Sequence, residues 1–188
     1  IDMHTGDLDA ADAWYREKAP CEPTHLNVMR RYQYLTQAMV EIMQNRPDAA
    51  LLTLSPMEPY IQNCARIIDG IHLNVLTAIA LRRKKDERWR ERLTAALDAA
   101  AEYRFIRTVS VYGTAVLPLL EALDWDGDKA WRKRLMAAVR TQAAFYPHFL
   151  EPSLAPGEEL TPTELQILHL LCADKSNAEI AQIMDVKL

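Results

Sequence analysis

Leu26-Asn27-Val28-Met29-Arg30-Arg31-Tyr32-Gln33-Tyr34-Leu35-Thr36-Gln37-Ala38-Met39-Val40-Glu41-Ile42-Met43 is the stretch that settles the fold class. Leu26, Met29, Tyr32, Leu35, Met39 and Ile42 recur at steps of three or four residues, which places them on one face of an α-helix. Trp89, Leu93, Leu97, Ala100 and Ala101 repeat the pattern, as do Val109, Tyr112, Val116, Leu120 and Leu123. A further helix is expected from Lys129 to Tyr146, carrying Trp131, Leu135, Val139 and Phe145 and stopped by Pro147. Breakers separate these runs at Asn45-Arg46-Pro47, Ser55-Pro56-Met57-Glu58-Pro59, Asp69-Gly70 and Asp124-Trp125-Asp126-Gly127-Asp128. The chain has 26 Ala and 24 Leu against 5 Gly, a composition biased to helix because Ala and Leu lose least on entering one. The expected fold class is all-α.

Three helix starts look alike. Gly6-Asp7-Leu8-Asp9-Ala10-Ala11-Asp12-Ala13-Trp14 is echoed by Arg46-Pro47-Asp48-Ala49-Ala50-Leu51-Leu52, and more loosely by Lys85-Asp86-Glu87-Arg88-Trp89, with offsets of 41 and 38 residues from Asp7 to Asp48 to Asp86. That period suggests helical hairpins that bury their apolar faces by stacking, with small Ala residues allowing close approach. The pattern resembles degenerate tetratricopeptide repeats over roughly residues 1–123. Residues 1–147 therefore read as a tetratricopeptide-like sensor or interaction domain. Pro147, Pro152, Pro156 and Gly157 then mark a linker over 148–158.

At 188 residues, with 49% hydrophobic and 26% charged, the chain has the composition of an ordinary globular protein. No window approaches the ~18 apolar residues of a membrane span, and the start lacks a basic region followed by an apolar one. Neither a membrane association nor a secretory route is expected, and the expected location is cytoplasmic. Cys21, Cys64 and Cys172 form no CxxC pair and suit reduced, buried thiols. A start at Ile1 suggests a fragment with sequence upstream. From Gly157 to Leu188 there are six acids and two bases, so the whole net charge of −4 lies there and the rest balances. Neither portion is the basic surface that nucleic-acid binding normally requires.

Leu160-Thr161-Pro162-Thr163-Glu164-Leu165 is a dense helix-start signal. Thr161 can cap, Pro162 suits the first helical position, Glu164 closes a capping box and Leu160 can staple onto Leu165. This helix should end near Cys172. After the turn Ala173-Asp174-Lys175, Ser176-Asn177-Ala178-Glu179 repeats the box and opens a second helix with Ile180, Ile183 and Met184 inward. Two capped helices joined by a short turn are the opening of a helix-turn-helix.

These residues closely resemble the LuxR-type helix-turn-helix family. Leu160-Thr161-Pro162-x-Glu164-Leu165-x-Ile167-Leu168-x-Leu170-Leu171 followed by Ser176-Asn177-x-Glu179-Ile180-Ala181 follows its signature without a gap. Asp174 stands where the family favours Gly, and Ala178 where it commonly has Lys. The resemblance implies a helix-turn-helix core of Leu165, Leu168, Leu171, Ile180 and Ile183. It implies DNA-backbone contacts at Thr161, Ser176 and Asn177. Residues 159–188 would be the first part of that domain, with the recognition helix missing after Asp185-Val186-Lys187-Leu188. Repeat helices, a Pro-containing linker and this motif, together with Ala99-Ala100-Ala101-Glu102-Tyr103-Arg104-Phe105-Ile106-Arg107, resemble the large ATP-dependent, maltose-regulon-activator-like subgroup. In that subgroup a nucleotide-binding module precedes a repeat region that senses an inducer. No Gly-x4-Gly-Lys-Ser/Thr loop occurs in this chain, so no cofactor is expected in it.

Asp124-x-Asp126-Gly127-Asp128 lacks the Gly and Glu of a calcium loop, since Lys129 and Leu135 stand there, and reads as a helix connection. His169 and Cys172 lack further metal ligands. Arg82-Arg83-Lys84-Lys85, followed by Asp86, Glu87 and Glu91, reads as a solvated face. Tyr32, Tyr34, Trp89, Tyr103 and Tyr112 read mostly as core, with a minority exposed on a concave side. No catalytic or metal residues are assigned. The expectation is a bacterial transcriptional regulator that binds DNA through the full-length protein only. A small-molecule inducer or protein partner at the repeats, and a homodimer, are the further partners considered. The alternative is a helical-repeat protein-protein interaction module without DNA binding.

Overall fold

The computed structural model describes residues 7–20, 26–150, 163, 166–167, 170 and 175–184, with the side chains of 177, 178 and 182 excepted. The chain divides into two units, Ile1–Ser153 and Leu154–Leu188. Among the described residues every regular element is helical. In the first unit these are α1 (Leu8–Lys18), a 3₁₀ turn (Val28–Arg30), α2 (Arg31–Met43), α3 (Pro47–Leu54), α4 (Met57–Asn63) and α5 (Ile67–Arg83). They continue as α6 (Trp89–Glu102), α7 (Arg107–Ser110), α8 (Gly113–Ala122) and α9 (Lys129–Phe145), and the second unit contains α10 (Asn177–Ile183).

Helix α5 is the centre of the first unit. It packs on α6 and also touches α2, α3, α4, α7 and α8, so Ile71, Leu73, Val75, Leu76, Ala78, Ile79, Ala80 and Leu81 are all buried. A helix enclosed on all sides must be apolar on more than one stripe. The pairs α2–α3, α5–α6 and α8–α9 are hairpins with short connections. Ala78 and Ala80 of α5 and Ala96 and Ala100 of α6 are fully buried, and their small side chains let the two backbones come close. Arg132 of α9 donates to the carbonyls of Leu120 (3.1 Å), Leu123 (2.8 Å) and Trp125 (3.0 Å), satisfying groups that the end of α8 leaves open.

Four helices end by the same device. Arg46 N donates to Glu41 O, Arg66 N to Ile61 O, Asp86 N to Leu81 O and Phe105 N to Ala100 O, at 2.8 to 3.2 Å. Each bond spans a residue in the left-handed region, namely Asn45, Ala65, Lys85 and Arg104, with φ of 54°, 48°, 59° and 57°. This is the Schellman closure, which usually takes glycine. The four positions are 20, 20 and 19 residues apart, so helix ends recur at about half the 41- and 38-residue offsets of the helix starts.

Several sequence expectations change on contact with the structure. In α2, Leu35 and Ile42 are buried as expected, but Met29 is 85% and Tyr32 58% exposed, while Tyr34, Gln37, Ala38 and Glu41 are buried instead. The helix starts only at Arg31, and α1, α3 and α5 all pack against it. Contact from several sides therefore encloses even polar positions. Asp69-Gly70 breaks nothing: the chain turns at Cys64–Ala65, and Asp69 lies in the first turn of α5, where its carboxylate accepts from Arg66 Nε at 2.9 Å.

The run from Val109 to Leu123 is two helices, broken at Val111–Tyr112. Gly113 has φ +35° and lies so close to α9 that a Cβ there would meet the Ala143 backbone and Gln142 at 3.2 Å. That combination requires glycine. The basic run is not a solvated face throughout. Arg83 is a half-buried tie that donates to the carbonyls of Ile42 and Leu150, Arg82 lies over the Trp89 ring, and Lys84 pairs with Asp48. Burial pulls the Arg83 pKa down to about 10.

Candidate nucleic-acid interface

Thr163, Gln166, Ile167 and Leu170 are helical, and Lys175 N donates to Leu170 O at 3.1 Å. That bond links a residue of the first helix to the residue just before Ser176.

Helix α10 opens on a reciprocal capping box. Ser176 N donates to Glu179 Oε2 at 2.9 Å, the Ser176 hydroxyl donates to the same oxygen at 2.8 Å, and Glu179 N points back to Ser176 Oγ at 3.4 Å. Two backbone N–H groups that a helix start leaves open are thereby satisfied. The Ser176 N–H and hydroxyl, and then Lys175 Nζ at 3.4 Å, hold the Glu179 carboxyl below its ordinary range. The positive end of the helix acts in the same direction. Ile180 N then donates to Ser176 O, and Met184 N to Ile180 O, both at 2.9 Å.

Of the expected core residues, Ile180 is buried and Ile183 is 51% exposed. Leu165, Leu168 and Leu171 lie outside the described residues, as do His169 and Cys172. Of the expected DNA-backbone candidates, Thr161 also lies outside them. Asn177 is the first residue of α10, and the Ser176 hydroxyl faces solvent with its proton committed to Glu179.

The aromatic residues of the first unit separate into two groups. Tyr34, Trp89 and Tyr112 are core. Tyr32 and Tyr103 are exposed and line one shallow groove with Ile68 and Phe105. His72 Nδ1 lies 2.9 Å from the Tyr112 hydroxyl, and burial lowers the histidine pKa. Asp128 caps α9 by accepting from Trp131 N at 2.9 Å, so the Asp124–Asp128 run is a helix connection. Among the described residues no group of His, Cys, Asp and Glu is placed to hold a metal ion. No helix among them is long and apolar enough to cross a membrane.

A polar cluster between α1, α2 and α3 lies outside every motif read from the residues. Glu41, on α2, is 1% exposed and accepts from the Tyr15 hydroxyl at 2.9 Å and Gln37 Nε2 at 3.0 Å, both at Oε1. Gln37 Nε2 also donates to Thr53 Oγ1 at 3.1 Å. Burial and the neighbouring Glu41 raise the Tyr15 pKa, which keeps its proton on the donor side. The available signal was weak: Gln37 and Glu41 sit four apart on the side of α2 opposite its expected apolar face.

No curated protein and no solved structure matches the chain. Residues 158–187, which include the Ser176–Glu179 box and α10, match the family model of the bacterial regulatory proteins of the luxR family (GerE), and this supports a DNA-binding transcription regulator.

Proposed function

We propose that this chain is part of a transcriptional regulator in which the helical unit senses or binds a partner and the segment 159–188 belongs to a LuxR-type DNA-binding domain. The match of residues 158–187 to the luxR family carries the reading. The reciprocal capping of Ser176 and Glu179 supports it physically, because a helix-turn-helix works only if its second helix starts at a fixed point relative to the first. The evenly spaced helix closures of the first unit support a tetratricopeptide-like stack as its architecture. Thr161, Ser176 and Asn177 are proposed to meet the DNA backbone, and Leu165, Leu168, Leu171, Ile180 and Ile183 to form the core of the motif.

The finer assignment is to the large ATP-dependent subgroup, whose nucleotide-binding module would lie elsewhere in the protein. DNA is then the partner of the complete regulator. A small-molecule inducer or a protein is the partner of the helical unit, and a homodimer reads a two-fold operator. Such a protein works in the cytoplasm and performs no catalysis in the part described here. Immunoprecipitation of the gene product with its chromosomal DNA tests the reading. Enrichment at discrete promoter sites, lost on Ala181→Pro, is the expected result, since proline inside α10 costs about 3 kcal/mol and breaks it. Absence of discrete enrichment, or enrichment indifferent to that change, overturns it.

A further inference from the structure

A large apolar side chain exposed on its own is ordinary, but several gathered in one place mark a surface that something covers. Tyr32, Ile68 and Tyr103 are 58%, 45% and 47% exposed, and one groove of the helical unit gathers all three, with Arg66, Ile67 and Phe105 beside them. Two of the helix closures build it. The turn at Ala65 that ends α4 leads through Arg66 into Ile67 and Ile68 of α5, and the turn at Arg104 that ends α6 carries Tyr103 and Phe105. Both exposed rings are held before anything binds. The Arg31 guanidinium lies over Tyr32, 4.5 Å from the ring centroid, and Tyr103 stacks on Phe105 with centroids 5.8 Å apart. Anchors that are already ordered lose little freedom when a partner covers them.

Charge narrows the choice of partner. Asp69, the carboxylate among the lining residues, is buried and shared: Arg66 Nε donates to its Oδ2 at 2.9 Å, and Arg31 Nε lies 3.4 Å from the same oxygen. Two guanidinium groups on one carboxylate leave a positive excess. Arg66 spends its Nε on Asp69, and its terminal N–H groups make no hydrogen bond among the described residues. That planar fork suits a second carboxylate. Tyrosine and arginine without lysine is also the composition of the energetic centre of protein interfaces. The groove is shallow, so a small molecule in it would stay largely in water, whereas small-molecule sites enclose most of their ligand. We propose that the groove docks a segment of a protein partner that is rich in Asp and Glu and carries an aromatic or large aliphatic anchor. The anchor lies against Tyr32 and Tyr103, and a carboxylate of the segment meets Arg66.

This rests on reading the helical unit as the part that binds a partner, and it names the partner's chemistry. The test uses the 188-residue chain without DNA, so its failure leaves the luxR-family reading untouched. A random dodecapeptide library displayed on phage is selected on the chain. Enriched peptides are then synthesised with a fluorescein label and titrated by anisotropy.

Enriched peptides should hold more Asp and Glu than the unselected library, together with Phe, Tyr, Trp or Leu, and their binding should weaken as salt rises. Tyr103→Ser should weaken it at least tenfold. Ile68→Glu and Ile68→Lys remove the same apolar contact from an exposed position, so charge alone separates them. The glutamate variant should bind at least tenfold more weakly than the lysine variant, with the melting transition of both retained. Phe145→Ser, at an exposed ring outside the groove, should change nothing. Enriched peptides that are neutral or basic, binding indifferent to Tyr103→Ser, or equal effects of the two Ile68 changes overturn the proposal. So does a selection that enriches nothing, or a dimer of the chain that Ile68→Glu dissociates, since the occupant would then be a second copy.

Discussion

The Tyr15 hydroxyl donates to Glu41 Oε1 at 2.9 Å, tying α1 to a carboxyl group enclosed within the first unit. A second polar tie runs from Gln44 Nε2, at the end of α2, to Asp12 Oδ1 of α1. Tyr15→Phe leaves the ring in place and removes only the donor. Hydrogen bonds to charged groups contribute about 1.5–3 kcal/mol, so a loss of about 1.5 kcal/mol is expected in urea unfolding. An unchanged midpoint would show that this bond contributes nothing to holding α1 in place.

Ala65 ends α4 with φ of 48°, a conformation that costs an L residue about 1–2 kcal/mol. Arg66 N still closes the turn onto Ile61 O at 3.2 Å. Ala65→Gly removes the penalty, offset in part by the greater freedom of glycine in the unfolded chain. A net gain of about 0.5–1 kcal/mol and a higher melting temperature are expected. A lower melting temperature would mean that the helix end is not closed as described.

Arg83 joins the end of α2 to Leu150 through two backbone carbonyls. Arg83→Met preserves most of the aliphatic stem but supplies no donor. The variant is expected to lose about 2–3 kcal/mol, since charge-assisted bonds are the strong ones and the carbonyls lose a partner. Arg83→Lys should recover only part of the loss, because one ammonium on a flexible stem cannot reproduce the guanidinium fork. Full recovery by lysine would reduce the tie to a simple charge effect.

How much of this was legible in the residues differs from element to element. Helix α6 was read closely, because Trp89, Leu93 and Leu97 face a single side and are buried there, whereas α9 buries Trp131, Leu135 and Val139 as expected but leaves Phe145, at its last residue, 74% exposed. Helix α2 was misread for the opposite reason. Three neighbours enclose it, so periodicity pointed to Met29 and Tyr32 while the buried side took Gln37 and Glu41. Asp69-Gly70 shows that a breaker pair within the first turn of a helix is a start signal, with the turn placed five residues earlier at Cys64–Ala65. The left-handed residues Ala65, Lys85 and Arg104 were invisible, because nothing in those residue types announces positive φ. The Ser176–Glu179 box was legible in full, since its geometry is local and needs no tertiary partner.

That box makes α10 sensitive to acid. The Ser176 N–H and hydroxyl and the Lys175 ammonium depress the Glu179 pKa below the ordinary glutamate value, so the carboxylate is stabilised in the folded state. A depressed folded pKa contributes stability that is present above the unfolded value and is lost as pH falls through the folded one. Amide exchange at Ile180 and Ala181 should therefore quicken as pH drops below about 4.5, beyond the intrinsic pH effect. Ser176→Ala should weaken the helix start by about 1 kcal/mol and blunt this response. A pH profile identical in the two proteins would separate the box from the stability of α10.

DNA binding by the gene product, with and without residues 158–187, tests the regulator reading most directly. Fluorescence anisotropy on promoter DNA, measured across a salt series, supplies both affinity and the electrostatic slope. The expected result is specific, salt-sensitive binding by the gene product that is lost when residues 158–187 are removed, while the helical unit keeps its melting transition. Specific binding that persists without residues 158–187, or a gene product that binds no promoter DNA above its non-specific level, would contradict it.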